Sequence, residues 1–123
     1  MAQPNSVQQV AVLGAGTIGA SWTAWFLSRG IRVSVWDPRP EAADYVRRTV
    51  TDAWPAMARL GMAAGASPDA WTFCAKAEDA VAAAEFVQEN APERLAISAS
   101  YLRDLILRCP RKQCWHLRPL DCL

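Results

Sequence analysis

Three glycines and one acid carry the chemistry that can be read from this chain. Gly14-Ala15-Gly16-Thr17-Ile18-Gly19 follows the apolar run Val10 to Leu13, and Asp37 ends a second run, Ile31 to Trp36. Each glycine has its own physical reason. Gly14 permits a tight strand-to-helix turn, Gly16 lets a bulky anion approach the backbone with no Cβ in the way, and Gly19 lets the helix lie close to its strand. A helix starting in this turn aims unpaired N–H groups and the positive end of its dipole at whatever fills it, which suits a phosphate. The G-x-G-x-x-G pattern alone is weak evidence. Here it gains weight because a strand precedes it and a helix follows.

Asp37 supplies the second half of the fingerprint. A carboxylate at the end of the second strand accepts hydrogen bonds from the adenosine ribose hydroxyls of a dinucleotide and repels the extra phosphate of NADP. The cofactor expected is therefore NAD, with Gly14, Gly16, Thr17, Ile18, Gly19 and Asp37 in its site. Arg39 complicates the choice, since an Arg nearby can serve a 2′-phosphate; the plainer reading is a solvated loop Arg or a lid on the adenine. FAD enzymes share this architecture, and a glycine-rich turn without a nucleotide is the remaining alternative.

The elements that must hold these residues alternate. Val10 to Leu13 reads as a strand buried on both faces. A helix is expected from Ala20 to Arg29, with Trp22, Trp25, Phe26 and Leu27 as its buried face and Gly30 closing it. Ile31 to Trp36 is a β-branched strand ended by Asp37-Pro38. A second helix fits Glu41 to Leu60, on the stripe Val46, Val50, Ala53, Met57 and Leu60, and Pro55 is expected to kink or split it. Gly61 to Asp69 reads as a loop, Trp71 to Cys74 as a strand, Glu78 to Ala84 as a short helix and Glu85 to Gln88 as a fourth strand. The fold class is α/β, a Rossmann-type doubly wound parallel sheet truncated to about four strands.

Bulk properties narrow the function classes. With 123 residues, 52% of them hydrophobic, the chain suits one globular domain. A net charge of +1 points to no nucleic acid or membrane surface. No apolar run reaches the ~18 residues of a membrane span, and residues 1–9 hold no basic or apolar signal segment, so a cytoplasmic protein with free thiols is expected. The average conceals a shift. Residues 1–93 hold seven Lys/Arg against ten Asp/Glu, whereas residues 94–123 hold six against two, together with Cys109, Cys114 and Cys122.

The run Val10 to Arg94 resembles the N-terminal NAD-binding domain of the 3-hydroxyacyl-CoA dehydrogenase family. The likeness rests on Val12-Leu13-Gly14-Ala15-Gly16-Thr17-Ile18-Gly19, on Val35-Trp36-Asp37-Pro38, and on Phe86-Val87-Gln88-Glu89-Asn90-Ala91-Pro92-Glu93. Trp36-Asp37-Pro38, Ala53-Trp54-Pro55 and Gln88 to Arg94 look most like the branch that contains L-carnitine 3-dehydrogenase, with lambda-crystallin a relative. The resemblance implies NAD as cofactor and an NAD-dependent oxidation of a secondary alcohol, of the 3-hydroxyacyl-CoA or carnitine type. It implies a homodimeric parent, and it places Glu89 beside the nicotinamide ribose; the bland reading of Glu89 is a strand-end carboxylate capping the next turn. In the family a His, oriented by a Glu, removes the hydroxyl proton while hydride leaves for the nicotinamide.

None of the family's catalytic patterns occurs in these 123 residues. Ser98 stands where the family carries a lysine, and the Ser/Thr-rich turn and the Gly-His-x-x-Asn-Pro context are missing. No catalytic residue is expected here, and the chain as given is expected to be inactive. Residues 1–97 read as a partial NAD-binding domain, and residues 98–123 as a helix on Ile97, Tyr101, Leu102, Leu105 and Ile106 followed by an irregular tail. Cys109, Cys114, His116 and Cys122 fit no compact zinc spacing, so no metal is expected. One event, an out-of-frame translation ending an interrupted dehydrogenase gene, would account for the charge shift, the cysteines and the lost pattern. A non-catalytic, crystallin-like NAD-binding protein and a Rossmann module pairing with a separate catalytic chain are the competing functions.

Overall fold

The structure, a computed structural model, describes residues 8–89. The readings made of Ile97 to Ile106, of His116 and the three late cysteines, and of a strandless tail lie outside them. Seven elements follow one another: β1 (Gln9–Leu13), α1 (Thr17–Ser28), β2 (Arg32–Trp36), α2 (Ala42–Leu60), β3 (Trp71–Cys74), α3 (Ala77–Val81) and β4 (Phe86–Glu89). The strands form one parallel sheet in the order β3-β2-β1-β4. The chain therefore winds outward from β1 to β3 and then crosses back to lay β4 on β1's other side. The α/β doubly wound reading holds, with four strands among the described residues.

β1 lies at the centre and is buried on both faces, which is why Val10 to Leu13 is apolar without alternation. Its side chains serve two cores. Val10 and Val12 join Val33, Val35, Ala20, Ala24, Leu27, Val46 and Val50 under α1 and α2. Ala11 and Leu13 join Ala77, Ala80, Val81, Ala84 and Val87 on the opposite face, under α3.

α1 departs from the expected face. Its buried residues are Gly19, Ala20, Thr23, Ala24, Leu27 and Ser28, while Trp22 is 36% and Trp25 44% exposed. Only Leu27 of the expected stripe is buried; Phe26 is partly covered, stacked on Trp22 and edge-on to Phe86. The reason is steric. A helix that must lie close to a strand presents its smallest residues to it, and an indole on that face would hold the axis away.

α2 departs in two smaller ways. It runs unbroken through Pro55, so the expected split does not occur. Pro55 and Thr51, the residue whose carbonyl loses its partner, both lie on the exposed side, so the lost hydrogen bond does not fall in the core. Leu60, assigned to the buried stripe, is 80% exposed. The helix is ~28 Å long at 1.5 Å per residue, while the strands beneath it span ~17 Å, so its last turn outruns the sheet. α3 is shorter than expected, and β4 sits one residue later than Glu85 to Gln88, which takes Glu89 into the strand.

Candidate cofactor site

Three strand ends converge. Leu13, the last residue of β1, is in register with Trp36 on one side and with Glu89 on the other. The residues that follow β1 and β2, and the last residue of β4, are thus neighbours at the carboxyl edge of the sheet. In open α/β sheets ligands sit outside that edge.

Gly14 turns the chain there with φ +95°, a conformation that side chains rarely adopt, and its N–H donates to the Trp36 carbonyl at 2.7 Å. Gly16 then caps α1. The cap has no side-chain hydrogen bond and the first helical turn holds no acid, so the positive end of the helix is neither capped nor neutralised by its own side chains. Gly19 is buried on the sheet-facing side. Thr17 and Ile18 open the helix on its exposed side, the Thr17 hydroxyl within 3.2 Å of the Tyr45 hydroxyl of α2. Tyr45 was not legible as part of this region, because nothing in the sequence pairs residues 28 apart.

Asp37 is 6% exposed and fully engaged. The Ala15 N–H donates to its Oδ2 at 2.8 Å, tying the end of β2 to the glycine turn, and the Arg39 N–H donates to its Oδ1 at 2.8 Å. The Arg39 side chain adds Nε to Oδ1 at 3.0 Å and Nη2 to Oδ2 at 3.2 Å. Burial pushes the Asp37 carboxyl up, but the Arg39 side chain, the Ala15 and Arg39 amides and the guanidinium charge outweigh it and hold the group below its ordinary value. The same contacts that lower the value favour the ionised form, whose two oxygens act only as hydrogen-bond acceptors.

Glu89 is 1% exposed at the end of β4, across β1 from Asp37. Cys74 ends β3; burial, and then the Asp79 carboxylate, push its thiol up, which argues against a nucleophile there. Among the described residues no group of three or more His, Cys, Asp or Glu could hold a metal. An open, mostly apolar groove of about 540 Å³ runs along α1, lined by Thr17, Ile18, Ser21, Trp22 and Trp25. It lies beside the turn, and its concavity comes from the indoles that the sheet leaves outside.

The features a dinucleotide needs are present: a glycine turn, a helix N-terminus without a side-chain cap, and a carboxylate one strand away. The sequence also matches the pattern described as 3-hydroxyacyl-CoA dehydrogenase, NAD binding domain, over residues 9–113. The chain belongs to the 3-hydroxyacyl-CoA dehydrogenase family. The match runs past Arg94, where the quoted motifs stop, so the family likeness reaches further into the basic segment than those motifs show.

Within the family, an L-carnitine dehydrogenase of Streptomyces coelicolor is 51% identical over 108 residues, which are 88% of this chain and 33% of that protein. One of Pseudomonas putida is 46% identical over 91 residues, covering 74% of this chain and 28% of that protein. The chain therefore spans about a third of the length of the curated relatives it matches. Among solved structures, 3-hydroxybutyryl-CoA dehydrogenase of Escherichia coli K12 superposes with a TM-score of 0.71 at 26% identity, covering 90% of this chain and 24% of that one. What the match covers is the family's NAD-binding domain.

Proposed function

We propose that residues 8–89 carry the adenosine and diphosphate half of an NAD(H) site, and that the parent protein is an NAD-dependent dehydrogenase of L-carnitine or a closely related 3-hydroxy compound. Gly14 and Gly16 present bare backbone to the diphosphate, with the first N–H groups of α1 (Thr17, Ile18) as donors. Gly19 sets the distance between α1 and β1 that aims those donors. Asp37 accepts the ribose hydroxyls, and Glu89 stands at the end of β4, where the nicotinamide ribose would lie. When bound, NAD supplies the hydride acceptor; the proton of the substrate alcohol needs a base that no described residue provides.

The observation that carries this reading is Asp37. It is buried, charged, at the end of β2, and joined by its Oδ2 to the amide of the glycine turn. The identities of 51% and 46% to L-carnitine dehydrogenases favour carnitine over a 3-hydroxyacyl-CoA as the parent's substrate. A homodimeric parent, a place in fatty acid metabolism and a cytoplasmic setting are carried over from the family likeness and the composition.

The test is a titration of the 123-residue chain with NADH and NADPH, followed by nicotinamide fluorescence. NADH binds the more tightly. Asp37→Ala weakens NADH by roughly 10- to 100-fold, the worth of hydrogen bonds to a charged group, and narrows the gap to NADPH. Equal affinity of the unmutated chain for both dinucleotides would sink the role given to Asp37. The same protein shows no oxidation of L-carnitine above background; turnover abolished by His116→Ala would overturn the reading of the chain as a cofactor-binding part alone.

A further inference from the structure

The Asp37 carboxylate has as many partners as it has acceptor positions. A carboxylate offers about four lone-pair sites. Two are filled by the amides of Ala15 and Arg39, and two by Nε and Nη2 of the Arg39 side chain. The amide bonds belong to the turn and cannot be given up without dismantling it. A ribose diol also needs two sites, so it can enter only where the guanidinium now lies. The guanidinium is free to leave, since the Arg39 side chain is 49% exposed while that of Asp37 is almost wholly covered. Its Nη2 also stands 4.0 Å from the place a Cβ on Gly16 would take, so it lies against the glycine that the diphosphate requires bare.

We propose that Arg39 occupies the adenosine-ribose subsite in the free protein, that cofactor binding exchanges its two side-chain hydrogen bonds for the two ribose hydroxyls, and that Arg39 thereby sets the preference between NADH and NADPH. This rests on the NAD-binding reading above. For NADH the Asp37–Arg39 pair is a competitor. For NADPH the balance reverses, because the 2′-phosphate replaces one hydroxyl and brings negative charge up to Asp37. The released guanidinium is then the cation at hand to bind that phosphate. Arg39 acts on NADH through Asp37, as a competitor for its acceptor positions, and on NADPH directly.

Removing the guanidinium should therefore move the two affinities in opposite directions. The exposed half of the pair limits the NADH effect to that of a partly solvated ion pair. Arg39→Ala is expected to tighten NADH by roughly 2- to 5-fold, and to weaken NADPH by about 10-fold through the loss of a charged contact to phosphate. Arg39→Lys, a point charge without the two-pronged geometry, should fall between. All three forms of the 123-residue chain are titrated with both dinucleotides, with circular dichroism to establish that each is folded. Weaker binding of both, as damage to the turn would give, overturns the proposal, and so does an unchanged NADH affinity in Arg39→Ala. If no form binds either dinucleotide, the NAD-binding reading fails and takes the proposal with it. If NADH binds but the two shifts share a sign, the proposal alone fails.

Discussion

α1 and α2 cover the same face of the same sheet, yet they are held to it by opposite means. α2 lays a stripe of Val46 and Val50, with Ala53, Trp54 and Met57 beside them, onto the core and keeps charged residues outside. α1 turns glycine, alanine and threonine inward and leaves Ile18, Trp22 and Trp25 outside. The difference follows from their tasks. α2 needs only to cover the sheet, so burying large apolar side chains serves it best. α1 must also carry its N-terminus to the carboxyl edge of β1 and aim it, and a close approach does that better than a large interface.

The largest effect should come from the one large side chain that α1 does bury. Leu27 is fully enclosed, and Leu27→Ala is expected to cost about 2–5 kcal/mol as lost transfer energy and cavity. Urea unfolding followed by tryptophan fluorescence measures it. A cost below about 1 kcal/mol, no more than an exposed site gives, would mean that α1 is not docked as described.

The next effect sharpens the contrast between the helices. Ala24 is fully buried where α1 meets β1 and β2. Ala24→Leu should destabilise by about 1–3 kcal/mol, because added methylenes there push the helix from the sheet. The same displacement would misplace the turn, so NADH affinity should fall with stability. An Ala24→Leu protein of full stability would show that close packing does not hold α1.

A smaller contribution joins the turn to the sheet through a buried carboxylate, whereas the charged contact of α2 with the sheet is the exposed Arg47 guanidinium over the Trp71 ring. The Asp37 pKa is lowered in the folded protein, so it lies below its unfolded value of about 3.9. Its stabilisation is therefore complete above that value and is lost as the pH falls through the folded one. Unfolding midpoints between pH 7 and pH 3 should drop more for the wild type than for Asp37→Asn, which lacks the titrating group. Parallel pH profiles would show that Asp37 adds no such stability.

These contrasts also mark what the sequence made legible. The β strands were readable because their burial leaves plain traces, a continuous apolar run for central β1 and alternation for β2. The glycine turn and Asp37 were readable because each residue type there is dictated by backbone conformation or charge. The buried face of α1 was misread because periodicity counts apolar residues, and the close approach demanded small ones. Arg39 reads from the sequence as a solvated loop Arg or a lid on the adenine, and its bonds to Asp37 were not legible because a salt bridge at i, i+2 across a turn depends on a backbone path that composition does not reveal. Tyr45 beside Thr17 depends on how two helices cross, and no local pattern encodes that.

The smallest expected effect concerns the last turn of α2. By spacing, Leu60 continues the stripe of Val46, Val50, Ala53 and Met57, and a stripe reading assigns it the cost of a buried leucine. The geometry assigns it almost none, because Leu60 ends a helix longer than the strands it covers and keeps most of its surface in water. Leu60→Ser should change the unfolding free energy by no more than about 0.5 kcal/mol, the ordinary range for an exposed site. Val50→Ala, nearly three turns earlier on the same stripe, should cost clearly more, because Val50 is enclosed under the helix. Measuring both variants in one denaturant series separates periodicity from burial within a single helix. Equal costs, or a Leu60→Ser cost above about 1 kcal/mol, would mean that the end of α2 is covered after all, and that its stripe, unlike that of α1, can be read from spacing to its last residue.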